Sequence, residues 1–301
     1  MIYLRKTSLV DFPGKISAAL FFAGCNLRCP WCQNSELLIP PGAAGGDADQ
    51  RASSRDEHSR NDGLQNAYFG NDSLGNASLQ NASSQVPGLE EALAHIQKRR
   101  SHLGGVVLSG GEPTLSKDLG AVAREIKRMG VPLKLDTNGM NPVHLAELCS
   151  QADTRPDYIA LDLKIAPYRY GELLPGKEEA PPYSPVDRAG APGFTRGKAA
   201  ESALGRTQGS ALEESAAVIT DSGIAHEYRT LALPGSFIDL EDIRLLAPLV
   251  DDAPWYFRPF VPGNCFSREW NLLDKTGSAE GTPLVEEARK MGKNPIGIFS
   301  E

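Results

Sequence analysis

The chain has 301 residues, 41% of them hydrophobic, a net charge of −7 and five cysteines. That length suits one large α/β domain or two small ones with a real core. The acidic balance argues against nucleic acid or an anionic membrane as the main partner, and the longest apolar stretch (16–25) is far short of the roughly 20 residues of a membrane-spanning helix.

The first fifteen residues mix polar and apolar types without the charged, apolar and small-residue order of a secretory signal, so a soluble cytoplasmic protein is expected. The first strand candidate is ISAALFF (16–22). It runs straight into FFAGCNLRCPWCQN (21–34), which holds Cys25, Cys29 and Cys32. An odd cysteine count with three so close together is not a disulfide framework. Residues 41–87 are rich in Gly, Ser, Asn, Asp and Gln and contain the near copies SLGNAS and SLQNAS. They read as a flexible surface loop.

Helical and strand patterns then alternate. LEEALAHIQKRR (89–100) is followed by the strand GVVLSG (105–110). LGAVAREIKRMG (119–130), with Gly130 to close it, is followed by PLKLDTN (132–138). PVHLAELCS (142–150) precedes DYIALDLK (157–164). Residues 175–208, rich in Pro, Gly and Ala, read as a second loop. After it come the helix SALEESAAVITDSG (210–223), the strand AHEYRTLAL (225–233), the helix LEDIRLLAPLV (240–250), the strand WYFRPF (255–260) and the helix PLVEEARKMG (283–292). Six apolar strands alternating with helices predict parallel βα units in a barrel or an open sheet, as a single domain over 1–301.

Thiolates spaced C-x3-C-x2-C can converge on one small object. Two readings follow. Zinc would need a fourth ligand from Cys149, Cys265 or a histidine, and there is no second C-x2-C pair to supply it. An iron–sulfur cluster held by three thiolates would leave one iron open to another ligand. The remaining polar candidates lie at strand ends, where α/β sites form. They are Ser109, Gly110, Gly111 and Glu112, then Asp136, Thr137 and Asn138, then Asp162 and Lys164, two apart on one strand face. Arg229 and Arg258 close the fifth and sixth strands, either paired or free to bind carboxylates. Cys149 sits late in a helical pattern and reads as a small buried hydrophobe. Cys265 reads as a spectator thiol near the mouth.

The C-x3-C-x2-C spacing, with aromatic Trp31 before the last cysteine, resembles the signature of the radical S-adenosylmethionine (SAM) superfamily. The resemblance implies a [4Fe–4S] cluster on Cys25, Cys29 and Cys32 whose open iron is chelated by SAM. It also implies a partial, open (β/α)6 TIM-like barrel. Gly110, Gly111 and Glu112 resemble the motif that binds the SAM amino group. DTNG and DLK resemble the SAM side of activating enzymes for glycyl-radical proteins. There Lys164 would contact SAM, and Asp136, Thr137 and Asp162 could hold a monovalent cation. Asn138 joins this set, as does Trp31.

SLVDFPGK, CQN, GGEPTL, DTNG, DLK and RPFVPGN, over 3–40, 88–174 and 210–300, resemble in their order the activating proteins of anaerobic ribonucleoside-triphosphate reductase, in the longer form close to pyruvate formate-lyase activating enzymes, so pyruvate formate-lyase or another glycyl-radical enzyme is the alternative partner. That likeness implies reductive cleavage of SAM and hydrogen abstraction from a glycine of a partner enzyme. Only Cys149 and Cys265 remain after the triplet, so a single cluster and an external donor such as a flavodoxin or ferredoxin are expected. The alternatives are a radical SAM enzyme acting on a small molecule and a zinc-stabilised binding module.

Overall fold

The computed structural model describes residues 1–38, 88–175 and 203–299, with side chains left out at 203–208. Among the described residues eight strands form one sheet in chain order. They are β1 (Ile2–Ser8), β2 (Ser17–Phe22), β3 (Gly105–Gly110), β4 (Leu133–Thr137), β5 (Tyr158–Asp162), β6 (Ala225–Ala232), β7 (Pro254–Pro259) and β8 (Asn294–Gly297). β1 runs antiparallel to β2, and every later pair is parallel. The helices between the parallel strands are α1 (Leu89–Arg99), α2 (Leu119–Arg128), α3 (Pro142–Ser150), α4 (Ala203–Ser222), α5 (Leu240–Leu246) and α6 (Ser278–Lys290). The sheet is not closed, so the six expected βα units make a partial barrel.

Strand alternation divides the sheet into two faces. The outer face carries Leu20, Leu108, Leu135, Leu161, Tyr228 and Phe257. It packs on helix residues such as Ile96, Val122, Ile126, Leu148, Ile219 and Ile243 in one continuous core. α2 shows why: Leu119, Val122, Ala123 and Ile126 recur at helical spacing and are all buried. Gly130, at φ 73°, ends that segment as expected. α5 starts on a capping box, in which Asp239 accepts from the backbone N–H groups of Glu241 and Asp242, and Asp242 accepts from that of Asp239. On the inner face Phe12, Ala19, Phe21, Leu37 and Val107 form a second, smaller apolar cluster.

Three expectations change. β1 and β8 lay outside the six strands expected, because both are edge strands with a weak apolar signal. β1 is only partly buried, and β8 carries Pro295 and is mostly exposed. The loop expected over 175–208 ends early, since α4 begins at Ala203. Gly209, just before the helix expected at 210–223, is where α4 packs tightly on the chain. A Cβ there would stand 3.1 Å from the Pro167 backbone. α6 begins five residues before the pattern that predicted it, with Pro283 inside it. The loop expected over 41–87 lies outside the described residues.

Candidate active site

The C-terminal strand ends surround a cavity of about 930 Å³. All twelve residues expected at the site line it: Cys25, Cys29, Trp31, Cys32, Gly110, Gly111, Glu112, Asp136, Thr137, Asn138, Asp162 and Lys164.

The cysteine loop lies directly on the end of β3. Gly111 N–H donates to Phe22 O at 2.8 Å, and Glu112 N–H donates to Gly24 O at 2.8 Å. This is where the glycine pair is needed. A Cβ on Gly110, at φ 123°, would lie 2.4 Å from Phe22 N, and one on Gly111 would lie 2.1 Å from Gly24 O. The sequence reading placed close backbone approach to a ligand here. The approach seen is that of the cysteine loop itself. On its other side the loop is held by Arg28 N–H donating to Leu173 O at 2.6 Å. The segment after β7 folds back over it. Phe266 N–H donates to Cys32 O at 3.0 Å, Ser267 N–H to Pro30 O at 2.9 Å, and the Gln33 amide to Val261 O at 2.5 Å.

Trp31 lines the cavity wall, but its ring is 4% exposed and packs against Phe237 and Trp270, with ring centroids 5.1 and 5.4 Å away. Here it braces the loop.

Cys29 is buried and Cys25 and Cys32 are half-buried. Burial pushes all three thiols up, Cys29 to about 12. Lys164 opposes the rise at each of them. The Leu27 N–H points at Cys25 Sγ from 3.4 Å, which favours the thiolate. A single tetrahedral zinc would need its sulfurs within about 4 Å of one another. Among the described residues no three His, Cys, Asp or Glu side chains form a group that could hold a single metal ion. Cys25, Cys29 and Cys32 line one cavity, and three thiols are the donor set that an iron–sulfur cluster takes.

Glu112 is 1% exposed, and its carboxylate is engaged by the protein. Oε1 accepts from Thr114 N–H, Thr114 Oγ1 and Thr137 Oγ1 at 3.1, 2.6 and 2.8 Å, and Oε2 accepts from Asn138 N–H at 2.7 Å. Burial pushes its pKa up, and these donors hold it back. Glu112 therefore ties β3 to β4, with three donors on Oε1 and one on Oε2. Asn138 reaches the cysteine loop, donating to Asn26 Oδ1 at 2.8 Å.

Beneath these groups lies a layer of ion pairs. Lys134, 1% exposed, donates to Asp136 at 2.7 Å and to Asp11 O at 2.8 Å, with Glu227 at 3.9 Å. Arg229 bridges Asp136 at 3.2 Å and Asp162 at 3.0 Å. Lys164 meets Asp162 at 3.3 Å. Burial works against the charges of Asp162, Lys164 and Arg229. Their mutual attraction wins, lowering Asp162 to about 2 and raising the two bases. Arg229 places a positive charge between Asp136 and Asp162, the two carboxylates for which the resemblance implied a monovalent cation, and Thr137 Oγ1 donates to Glu112. Lys134 and Glu227 escaped the sequence reading, although Lys134 stands two residues before Asp136 on the same strand face. Cys149 is a buried core thiol, pushed up to about 11 by burial. Cys265 is buried and is not among the residues lining the cavity.

The Radical SAM superfamily profile matches residues 20–181, more than half of the chain. The chain belongs to the radical SAM superfamily, which implies a [4Fe–4S] cluster and SAM. It is 26% identical over 292 residues to a "putative glycyl-radical enzyme activating enzyme" of Methanocaldococcus jannaschii, covering 95% of this chain and 87% of that one. Its fold is similar to that of a radical SAM methyltransferase from Sphaerobacter thermophilus, with a TM-score of 0.50 and 12% identity over 96% of this chain and 68% of the other. It is also similar to Streptococcus suis SuiB bound to precursor peptide SuiA, with a TM-score of 0.50 and 12% identity over 93% of this chain and 48% of SuiB. Among the described residues no helix is long and apolar enough to cross a membrane.

Proposed function

We propose that this chain is a single-domain activating enzyme that uses SAM to generate a glycyl radical on a partner enzyme, the partner being an anaerobic ribonucleoside-triphosphate reductase. The observation that carries this reading is the likeness, over nearly the whole chain, to a relative named for glycyl-radical enzyme activation. The order of SLVDFPGK, GGEPTL, DTNG, DLK and RPFVPGN favours the reductase as partner.

Cys25, Cys29 and Cys32 would hold the cluster, and three thiolates leave one iron for SAM. When bound, the cluster supplies the electron that breaks the sulfonium C–S bond. The chain's own residues prepare the place. Lys164 offsets the negative charge of three thiolates. Glu112 and the glycine pair hold the cysteine loop at the end of β3, with Asn138 reaching it from β4. The paired layer of Lys134, Asp136, Asp162 and Arg229 closes the inner face below the cavity with its charges matched. The 261–267 segment covers the cysteine loop. A flavodoxin or ferredoxin would deliver the electron.

The test is anaerobic reconstitution with iron and sulfide, followed by dithionite reduction and EPR. A [4Fe–4S]+ signal altered by SAM, release of 5′-deoxyadenosine, and a glycyl radical on added reductase are the expected results. SAM cleavage that turns over a small molecule but puts no radical on any partner would replace the protein partner. A colourless protein with stoichiometric zinc would end the radical reading.

A further inference from the structure

Four cationic side chains line the cavity, and three of them are ion-paired: Arg5 with Asp11, Lys164 with Asp162, and Arg229 with Asp136 and Asp162. Arg258 is the exception among the described residues. It has no carboxylate partner, and its Nε is buried without a hydrogen bond. A buried guanidinium donor facing nothing is costly and rare, because its hydration is lost and not replaced.

The position of Arg258 says what it faces. It follows Phe257, a fully buried outer-face residue, so alternation turns it inward. Beyond it, Val261 and Ile298 line the same cavity and are 43% and 48% exposed, which places Arg258 on the mouth side. Lys164 is a main influence on all three cysteines. Asp162, whose carboxylate feels the charge of Arg258, already accepts from Lys164 at 3.3 Å and from Arg229 at 3.0 Å and makes no hydrogen bond with Arg258. The thiol side of the cavity therefore has its own cation, and the mouth side has a spare one.

We propose that Arg258 receives a carboxylate of the substrate, as a specificity-determining contact at the mouth of the cavity. A planar guanidinium with its donors unspent suits two-point binding of a carboxylate. In the activating-enzyme reading, on which this source rests, the carboxylate is an acidic side chain or a chain end on the partner segment that carries the glycine. SAM brings a carboxylate too, but as a ligand of the open iron it would bind beside the thiols.

Two measurements decide it. The first needs no partner. Phenylglyoxal, which attacks unpaired guanidinium groups, is applied to the anaerobically reconstituted protein with SAM bound, and modified arginines are mapped by mass spectrometry. Arg258 is expected to label about tenfold faster than Arg229, as one broken ion pair would give, and succinate should protect it where chloride of equal ionic strength does not. Labelling no faster than Arg229, or equal protection by chloride, overturns the proposal.

The second uses Arg258→Gln and Arg258→Lys. The dissociation constant of SAM and the partner-free formation of 5′-deoxyadenosine should stay at wild-type levels. The KM for the partner should rise about tenfold or more in Arg258→Gln at little cost in kcat, with partial recovery in Arg258→Lys. A SAM affinity weakened about tenfold, with the partner KM unmoved, would give the carboxylate to SAM and overturn the assignment. If the wild-type protein activates no partner, the activating-enzyme reading fails, while the succinate experiment still judges Arg258.

Discussion

Lys134 and Leu135 are neighbours in β4, and both are shut away from water, at 1% and 0% exposure. Leu135 points outward into an apolar core shared with the helices. Lys134 points inward to Asp136 and Glu227. The same contrast runs along the sheet. The outer face is mostly apolar, with Thr230 and His226 of β6 as polar exceptions, whereas the inner face is apolar near β2 and β3 and ion-paired from β4 to β6. An apolar face needs only complementary shape. An ionic face needs every charge matched, because an unmatched buried charge costs more than a matched pair gains. Fold stability is thus spread over the outer face, and chemistry is confined to the inner one.

The sharpest way to break this contrast is at the cysteines. Cys29→Ser should abolish iron incorporation and 5′-deoxyadenosine formation while leaving the urea midpoint of the iron-free chain nearly unchanged, since Cys29 contributes one small side chain to the core. Next come the two neighbours in β4. Lys134→Met should cost about 3–5 kcal/mol by leaving Asp136 and Glu227 short of a cation. Adding Glu227→Gln should restore part of that loss. Leu135→Ala should cost about 2–5 kcal/mol by leaving a cavity, with no such rescue. Denaturant titration of the three variants checks both. A Lys134→Met cost near zero would show that the ion pairs do not hold the inner face.

A smaller effect separates glycines that position the site from those that only end a helix. Gly111→Ala should cost about 1–3 kcal/mol and lower iron content, because the new Cβ meets the backbone of Gly24. Gly130→Ala, at φ 73° with open space around it, should cost about 1–2 kcal/mol and leave iron content alone.

The smallest effect is on pH dependence. Asp162 is held below its unfolded value, to about 2, by Arg229 and Lys164 against the cost of burial. Its contribution is therefore complete above the unfolded carboxylate pKa of about 3.9 and is lost as pH falls toward 2. Asp162→Asn should flatten the acid limb of the stability–pH curve in that window while lowering stability at neutral pH. An unchanged slope between pH 4 and 2 would remove Asp162 from the network.

Much of this architecture was legible in the chain. The six internal strands betray themselves by continuous apolar runs, because both of their faces are buried. Edge strands bury less and pass unnoticed, as β1 and β8 did. The cavity was legible too, since its polar residues sit at strand ends and alternation tells which way they point. The partners of those residues were not legible. Glu112 reads as a ligand-binding acid, and the structure adds that its oxygens accept from Thr114, Thr137 and Asn138. Trp31 reads as a cofactor contact but packs on Phe237 and Trp270, more than 200 positions further along the chain.

By itself the sequence determined the alternation of strands and helices, the triplet of thiols and the ring of strand ends around them. All of these follow from local period and spacing. Tertiary structure alone decided which charges meet. It set Arg229 between two carboxylates from different strands, drew the 261–267 segment over the cysteine loop, and left Arg258 without a counter-ion. Pairing depends on which strands are neighbours and in what register, and that exists only once the sheet has assembled.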